Sequence, residues 1–188
     1  LGTDDKARRA LDAILESEAA LTLDADAITL LADAPEKSFE RLSARDQMTV
    51  LTPHAGEFGR LFGSIDDSRS KLDVTREAAA RSGAVVVLKG GDTVIAHPNG
   101  KAAINGNAPP WLATAGSGDV LTGIIAGLRA QGMSAFDAAC AGVWLHGEAG
   151  KRCGAYMVSE ELERGLREVL EEDSQDWLVH GWLERKGG

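Results

Sequence analysis

Gly116, Ser117, Gly118 and Asp119 stand immediately before an apolar, helix-forming run, Val120 to Leu128. A glycine-rich turn that feeds a helix start leaves several backbone N–H groups without intrahelical partners, pointing outward. The positive end of the helix dipole lies at the same place, so this spacing describes a site for an anion, a phosphate above all. Asp119 falls in the first turn, and a carboxylate there has two uses. It is an ordinary helix-start residue. Beside a phosphate cradle it can also draw a proton from a hydroxyl near the phosphoryl group being moved. Upstream, Asn107, Pro109 and Pro110 oppose regular structure, which makes the stretch from Asn107 a loop that delivers the chain to the helix.

Polar clusters recur at the ends of apolar runs, and the elements between them explain why they would meet. Ala20 to Asp24 reads as a short buried strand with Asp24 and Asp26 at its carboxyl end. Met48 to Thr52 reads as the next strand, followed by Pro53-His54-Ala55-Gly56-Glu57. Ala84 to Leu88 is a β-branched run expected in a strand covered on both faces, followed by Lys89-Gly90-Gly91-Asp92-Thr93. Thr93–His97 and Ala102–Asn105 read as a hairpin around Pro98-Asn99-Gly100. Helices are expected over residues 4–18, 28–32, 56–62, 70–81, 119–130, 135–151 and 159–171. Residues 34–47 read as loop with one turn of helix at most, and the tail 173–188 carries Trp177 and Trp182 for packing on the domain or for a subunit contact. Alternating strands and helices argue an α/β layered fold with a largely parallel sheet, whose ligands sit beyond the carboxyl ends of the strands. Each polar cluster falls there.

Composition narrows the function classes. A chain of 188 residues can bury one real core. A net charge of −9 argues against nucleic acid as a main partner, though a local cluster of N–H groups can still bind nucleotide phosphates. Cys140 and Cys153 lack metal-ligand spacing and read as free thiols in a reducing, cytoplasmic compartment. The apolar run Val120–Leu128 is too short to span a bilayer, no signal peptide is read, and no membrane partner is expected. The chain begins Leu1-Gly2-Thr3 without Met and without a strand before its first helix, which reads as a piece of something longer.

The segments Leu51 to Glu57, Val87 to Gly91 and Asn107 to Leu128, together with Leu23 to Ala27, resemble the ADP-dependent NAD(P)H-hydrate dehydratases. These are ribokinase-like proteins, often the carboxyl-terminal half of a bifunctional repair enzyme. The Gly-Ser-Gly-Asp string alone is shared across the wider kinase superfamily, whereas Pro53 to Glu57 joined to the long Asn107 string is more specific. The resemblance runs from Leu1 to about Cys153. It implies one ribokinase-like α/β/α domain over residues 1–188 whose N-terminal part, ending at Leu1-Gly2, is lacking. It also implies an enzyme that restores hydrated NADH or NADPH, spending ADP or ATP with Mg²⁺ to turn the ring hydroxyl into a leaving group. Asp119 would draw the proton from that hydroxyl and touch the substrate with Gly2 and His54. Gly116, Ser117 and Gly118 would hold the phosphoryl group by their amides. Lys89, Gly90, Gly91, Asp92 and Thr93 would border the adenosine monophosphate portion together with Gly118. Glu57 would act on the metal through water. A homo-oligomer is expected, with no partners beyond the small molecules. The nearest alternative is a kinase of the same superfamily acting on a vitamin precursor or sugar alcohol; a third is a non-catalytic nucleotide-binding remnant.

Each residue also has a purely structural reading. His54 could hydrogen-bond its own loop, Glu57 could be a first-turn helix residue, and Asp24 and Asp26 could cap the helix that follows them rather than serve phosphate or metal surroundings. Lys89 could be a solvated strand-end charge and Gly90-Gly91 a turn. His146, on an apolar helical face with Val143 and Leu145, reads as structural, while His97 and His180 carry no signal. Trp111 covers the site or packs under the loop. Gly123 and Gly127, four apart, are expected to let their helix lie close to the sheet.

Overall fold

The computed structural model describes residues 2–66 and 68–173. At its centre is a five-stranded sheet in which spatial order equals chain order. Strands β1 (Thr22–Leu23), β2 (Val50–Leu51) and β3 (Val85–Leu88) run parallel, with Thr22 opposite Val50 and Val50 opposite Val85. Strands β4 (Thr93–Ala96) and β5 (Ala102–Asn105) continue as an antiparallel hairpin, Val86 facing Ala96 and Ala96 facing Ala102. This direction pattern brings the carboxyl ends of β1, β2, β3 and β5 and the amino end of β4 to one edge of the sheet.

Both faces of the sheet are covered because alternate residues of β3 are all apolar. Val85 and Val87 pack with Val50 and Ile95 against Leu121 and Ile125 of α6 (Ser117–Ala130) and Phe136 and Val143 of α7 (Ala135–Cys153). Val86 and Leu88 face the other way, onto Phe58 of α4 (Ala55–Phe62) and Val74, Ala78 and Ala79 of α5 (Lys71–Ser82). Beside β1 and β2, Leu11 and Leu15 of α1 (Asp5–Glu16), Ile28 and Leu31 of α2 (Asp26–Leu31) and Phe39 and Leu42 of α3 (Pro35–Ser43) fill a third cluster with Leu23 and Leu51. A 3-10 turn at Ser159–Glu161 leads into α8 (Leu162–Asp173), which closes the far side of α7. The expected layered α/β arrangement is present, its sheet parallel over β1 to β3 and antiparallel at the hairpin.

Two expectations are corrected. Residues 34–47 hold a nine-residue helix, α3, rather than loop with one turn. Pro35 sits at its first turn, where a missing N–H costs nothing, and Phe39 and Leu42 supply the buried face. Gly123 and Gly127 do not bring α6 against the sheet, since among the described residues nothing beyond the adjoining stretch of the helix itself lies within 4 Å of where a Cβ would stand on either. The close approaches belong to α7: a Cβ on Gly142 would fall 2.6 Å from Ile125 Cγ1, one on Gly150 2.7 Å from Leu112 Cγ, and one on Gly147 would overlap the Asn107 carboxamide. Trp177, His180 and Trp182 lie outside the described residues.

Candidate active site

The glycine-rich turn is held from behind by α7. Asn107 Nδ2 donates to Trp144 O (2.9 Å) and Glu148 Oε1 (3.1 Å), and the Trp111 indole donates to Gly150 O (2.8 Å). Trp111 therefore packs under the loop. Gly116 then reverses the chain with φ 83°, a left-handed conformation that suits glycine, and Val120 N to Gly116 O starts α6. Ser117 points inward. Its hydroxyl bonds His146 Nε2 at 3.0 Å and its amide donates to Thr114 O at 3.3 Å. Burial pushes His146 down to about 4, so at neutral pH the ring is uncharged and works as a strut between α6 and α7. Asp119 is exposed, and Gly118 is half-buried over Lys89. Among the described residues their amides have no hydrogen-bond acceptor, and the exposed Asp119 carboxylate has neither hydrogen bond nor ion pair.

Beneath this turn lies a buried polar knot. Lys89 Nζ donates to both oxygens of Asp24 at 2.9 Å, and Thr122 Oγ1 donates to Asp24 Oδ2 at 2.9 Å. The Thr52 and Thr122 hydroxyls are 3.3 Å apart. The Asp24 side chain is 9% exposed and that of Lys89 20%. Lys89 reaches the first turn of α6, since a Cβ on Gly118 would stand 3.2 Å from its Nζ. Beyond Lys89 the chain turns at Gly90-Gly91, where Thr93 Oγ1 donates to Gly90 O (3.3 Å) and Lys71 donates to Asp92 O and pairs with Asp92 Oδ1 (3.0 Å). That hydrogen bond from Lys71 holds the Asp92 carboxyl below the usual carboxylate range.

The segment after β2 forms a closed cap on α4. His54 Nδ1 accepts from the amides of Gly56 (2.9 Å) and Glu57 (3.3 Å), and Glu57 Oε2 accepts from His54 N (2.9 Å). An Nδ1 that accepts leaves the ring proton on Nε2, which lies 3.4 Å from Glu57 Oε1. Gly56 is required here, because a Cβ would sit 2.9 Å from His54 Cε1. Gly2 N donates to Asp26 Oδ2 (2.8 Å), the bond that holds the Asp26 carboxyl low. Among the described residues no group of three or more His, Cys, Asp or Glu side chains stands ready for a metal. The donors fit only a cation that arrives with phosphates, as Mg²⁺ does when one or two carboxylates suffice. Glu57 is a carboxylate at this edge whose Oε1, among the described residues, meets His54 Nε2 alone, at 3.4 Å.

The fold thus brings Lys89, Gly90, Gly91, Asp92, Thr93, Gly116, Ser117, Gly118, Asp119, His54 and Glu57 to one sheet edge. Thr122, Lys71 and Glu148 were not anticipated. Thr122 stands four residues after Gly118, one helical turn on and therefore on the same face. Lys71 and Glu148 carry no local signal, being defined by partners 21 and 41 residues away.

The family described as NAD(P)H-hydrate dehydratase matches residues 1–166. The chain belongs to that family. It is 44% identical over 139 residues to the bifunctional NAD(P)H-hydrate repair enzyme Nnr of Mycobacterium tuberculosis, covering 74% of this chain and 28% of that protein. It is 42% identical over 156 residues to the ADP-dependent (S)-NAD(P)H-hydrate dehydratase of Neisseria meningitidis, 79% of this chain and 51% of that one. The chain thus spans about a quarter to half the length of these relatives. The ADP/ATP-dependent NAD(P)H-hydrate dehydratase of Bacillus subtilis, co-crystallised with ATP/Mg²⁺, superposes with a TM-score of 0.80 at 30% identity, over 92% of this chain and 63% of that one. A ribokinase-like superfamily protein of Enterococcus faecalis superposes at 0.76 and 27% identity, over 92% of this chain and 60% of that one. The layered fold is therefore ribokinase-like.

Proposed function

We propose that the chain is the phosphate-handling part of an ADP- or ATP-dependent NAD(P)H-hydrate dehydratase. The observation that carries this reading is the open start of α6: an exposed Asp119 and two amides without partners among the described residues, in a family whose members are named for this reaction. Asp119 accepts the proton of the ring hydroxyl while that oxygen takes the terminal phosphoryl group and the bond to the departing nucleotide breaks. The phosphorylated oxygen then leaves the ring with its bonding electrons, and loss of a ring proton restores the reduced nicotinamide. The amides of Gly118 and Asp119 are oriented donors that need no reorganisation as charge builds on the phosphoryl oxygens. Lys89 to Thr93 border the rest of the nucleotide, and His54 and Gly2 lie toward the hydrated nicotinamide. Mg²⁺ bound with the nucleotide would neutralise phosphate charge, with Glu57 as its protein-side carboxylate.

The reading extends to one domain that works in the cytoplasm, a reducing compartment that suits the free Cys140 and Cys153. Its assembly as a homo-oligomer would bury apolar side chains left in solvent, such as Ile104 (60% exposed) on the edge strand β5 and Trp144 (39%). Light scattering checks the assembly. The activity test is direct: hydrated NADH with ADP and Mg²⁺, followed by recovery of reduced-nicotinamide absorbance in the intact protein. No recovery overturns the dehydratase reading. Accumulation of a phosphorylated small molecule in its place makes the protein a kinase.

A further inference from the structure

We propose that Asp24 is a positioning residue of the phosphate cradle, acting through Lys89 and Thr122; the proposal rests on the reading of that cradle given above. One charge stands in an unfavourable place. Lys89 puts its ammonium against the first turn of α6, where the helix already presents its positive end and repels a cation. Left alone, the long side chain would swing into water. Asp24 prevents this by taking two of the ammonium's three donors, one on each carboxylate oxygen, both at 2.9 Å.

Two further donors fix the carboxylate: Thr122 donates to Oδ2 and the Ala25 amide to Oδ1 (2.9 Å). Thr52, in contact with Thr122, donates to the Leu23 carbonyl at 3.3 Å. The ends of β1, β2 and β3 are thereby joined to α6 at one point. Asp24 does not cap α2 with its side chain, because Ala27 N bonds its backbone carbonyl. One carboxylate thus balances one of two positive ends gathered beneath Gly118. The other, the helix start, stays open together with the third Lys89 donor, which has no acceptor among the described residues. An arriving phosphate completes the balance. Asp24 never touches it, but sets where Lys89 and the first turn of α6 meet it.

The test uses the intact protein carrying Asp24→Asn, Thr122→Val, Lys89→Met and the Asp24→Asn/Lys89→Met double substitution. Affinity for ADP is read by calorimetry, KM for ADP and for the hydrate separately by kinetics, and the Gly118 and Asp119 amides by NMR without ligand. Loss of a charged hydrogen bond predicts that Asp24→Asn weakens ADP about tenfold, while KM for the hydrate holds and both amide resonances move. Thr122→Val, which removes one donor and keeps the shape, gives a smaller loss in the same direction and carries the test if Asp24→Asn does not fold. Because Asp24 acts through Lys89, adding Lys89→Met to Asp24→Asn changes ADP affinity less than about twofold. Parent-like ADP affinity with unmoved amides in the variants, or effects of Asp24→Asn and Lys89→Met that multiply, overturns the proposal. Should the parent bind ADP yet fail to dehydrate the hydrate, the functional reading falls by itself, and the affinities and amides still decide Asp24.

Discussion

Two helices begin at the same edge of the sheet, α4 after β2 and α6 after the glycine-rich turn, and their first turns are finished in opposite ways. At α4, His54 Nδ1 takes the amides of Gly56 and Glu57, and Glu57 returns the bond to His54 N. These two donors, Gly56 N and Glu57 N, are used up inside the protein. At α6, the buried Ser117 is tied to Thr114 and His146, and the amides of Gly118 and Asp119 are left without acceptors among the described residues. Helix starts are equally attractive to anions in principle. What separates them is whether the chain has already supplied the acceptor. The structure closes the first start with an imidazole and opens the second with a left-handed glycine.

The largest way to break that contrast is at Asp119. If the open start positions a general base, Asp119→Asn lowers turnover about a thousandfold. ADP affinity by calorimetry stays close to that of the parent, because the amides are untouched. A variant with parental rates removes Asp119 from the chemistry.

The strut behind the open start gives the next effect. His146 is held near 4 by burial, against 6.5 in an unfolded chain. Above about pH 6.5 the ring is neutral in both states and costs nothing. As pH falls from there toward 4, the unfolded chain takes up a proton that the native ring refuses, so stability drops, by roughly 3 kcal/mol once pH is below the native value. His146→Gln removes this dependence while keeping a polar partner for Ser117. Thermal melts across pH 7 to 4.5 should fall more steeply for the parent than for the variant; parallel curves contradict the buried neutral strut. Gly118→Val is a smaller probe of the same turn. Its Cβ stands 3.2 Å from Lys89 Nζ and pushes a flexible ammonium rather than backbone, so ADP binding weakens about tenfold at most, and unchanged affinity argues against a cradle at this residue.

The same contrast explains what could be read from the sequence. Strand ends, turn glycines and apolar runs are local, and they located the parallel sheet, the hairpin at Pro98-Asn99-Gly100 and the edge where polar clusters gather. The place of Asp119 in the first turn of α6 was legible because glycine, serine and a helix start are neighbours in the chain. Asp24 stayed open between a helix cap and a part in phosphate or metal surroundings because its partners, Lys89 and Thr122, are 65 and 98 residues away. Gly123 and Gly127 misled for a related reason. Spacing of four marks one helical face but does not say what covers it, and here the packed glycine face belongs to α7, against Ile125, Asn107 and Leu112. Pro35 shows the converse, a local breaker that starts a helix once Phe39 and Leu42 find a core.

The smallest effect separates the two readings of His54 at the closed start. As a cap, His54 has one indispensable property, an acceptor on a short side chain. His54→Ala removes it and leaves the Gly56 and Glu57 amides to water, at a cost of about 1 kcal/mol. His54→Asn restores an acceptor within reach of the same amides and so recovers the melting temperature. If capping is the whole role, His54→Asn also recovers the KM for hydrated NADH. If the exposed ring additionally meets the nicotinamide, the Asn variant melts like the parent yet keeps a raised KM, because an amide replaces the Nε2–H face of the imidazole. Equal melts with a raised KM therefore give the α4 start a ligand contact of its own, and full recovery of both leaves binding to the α6 side of the edge.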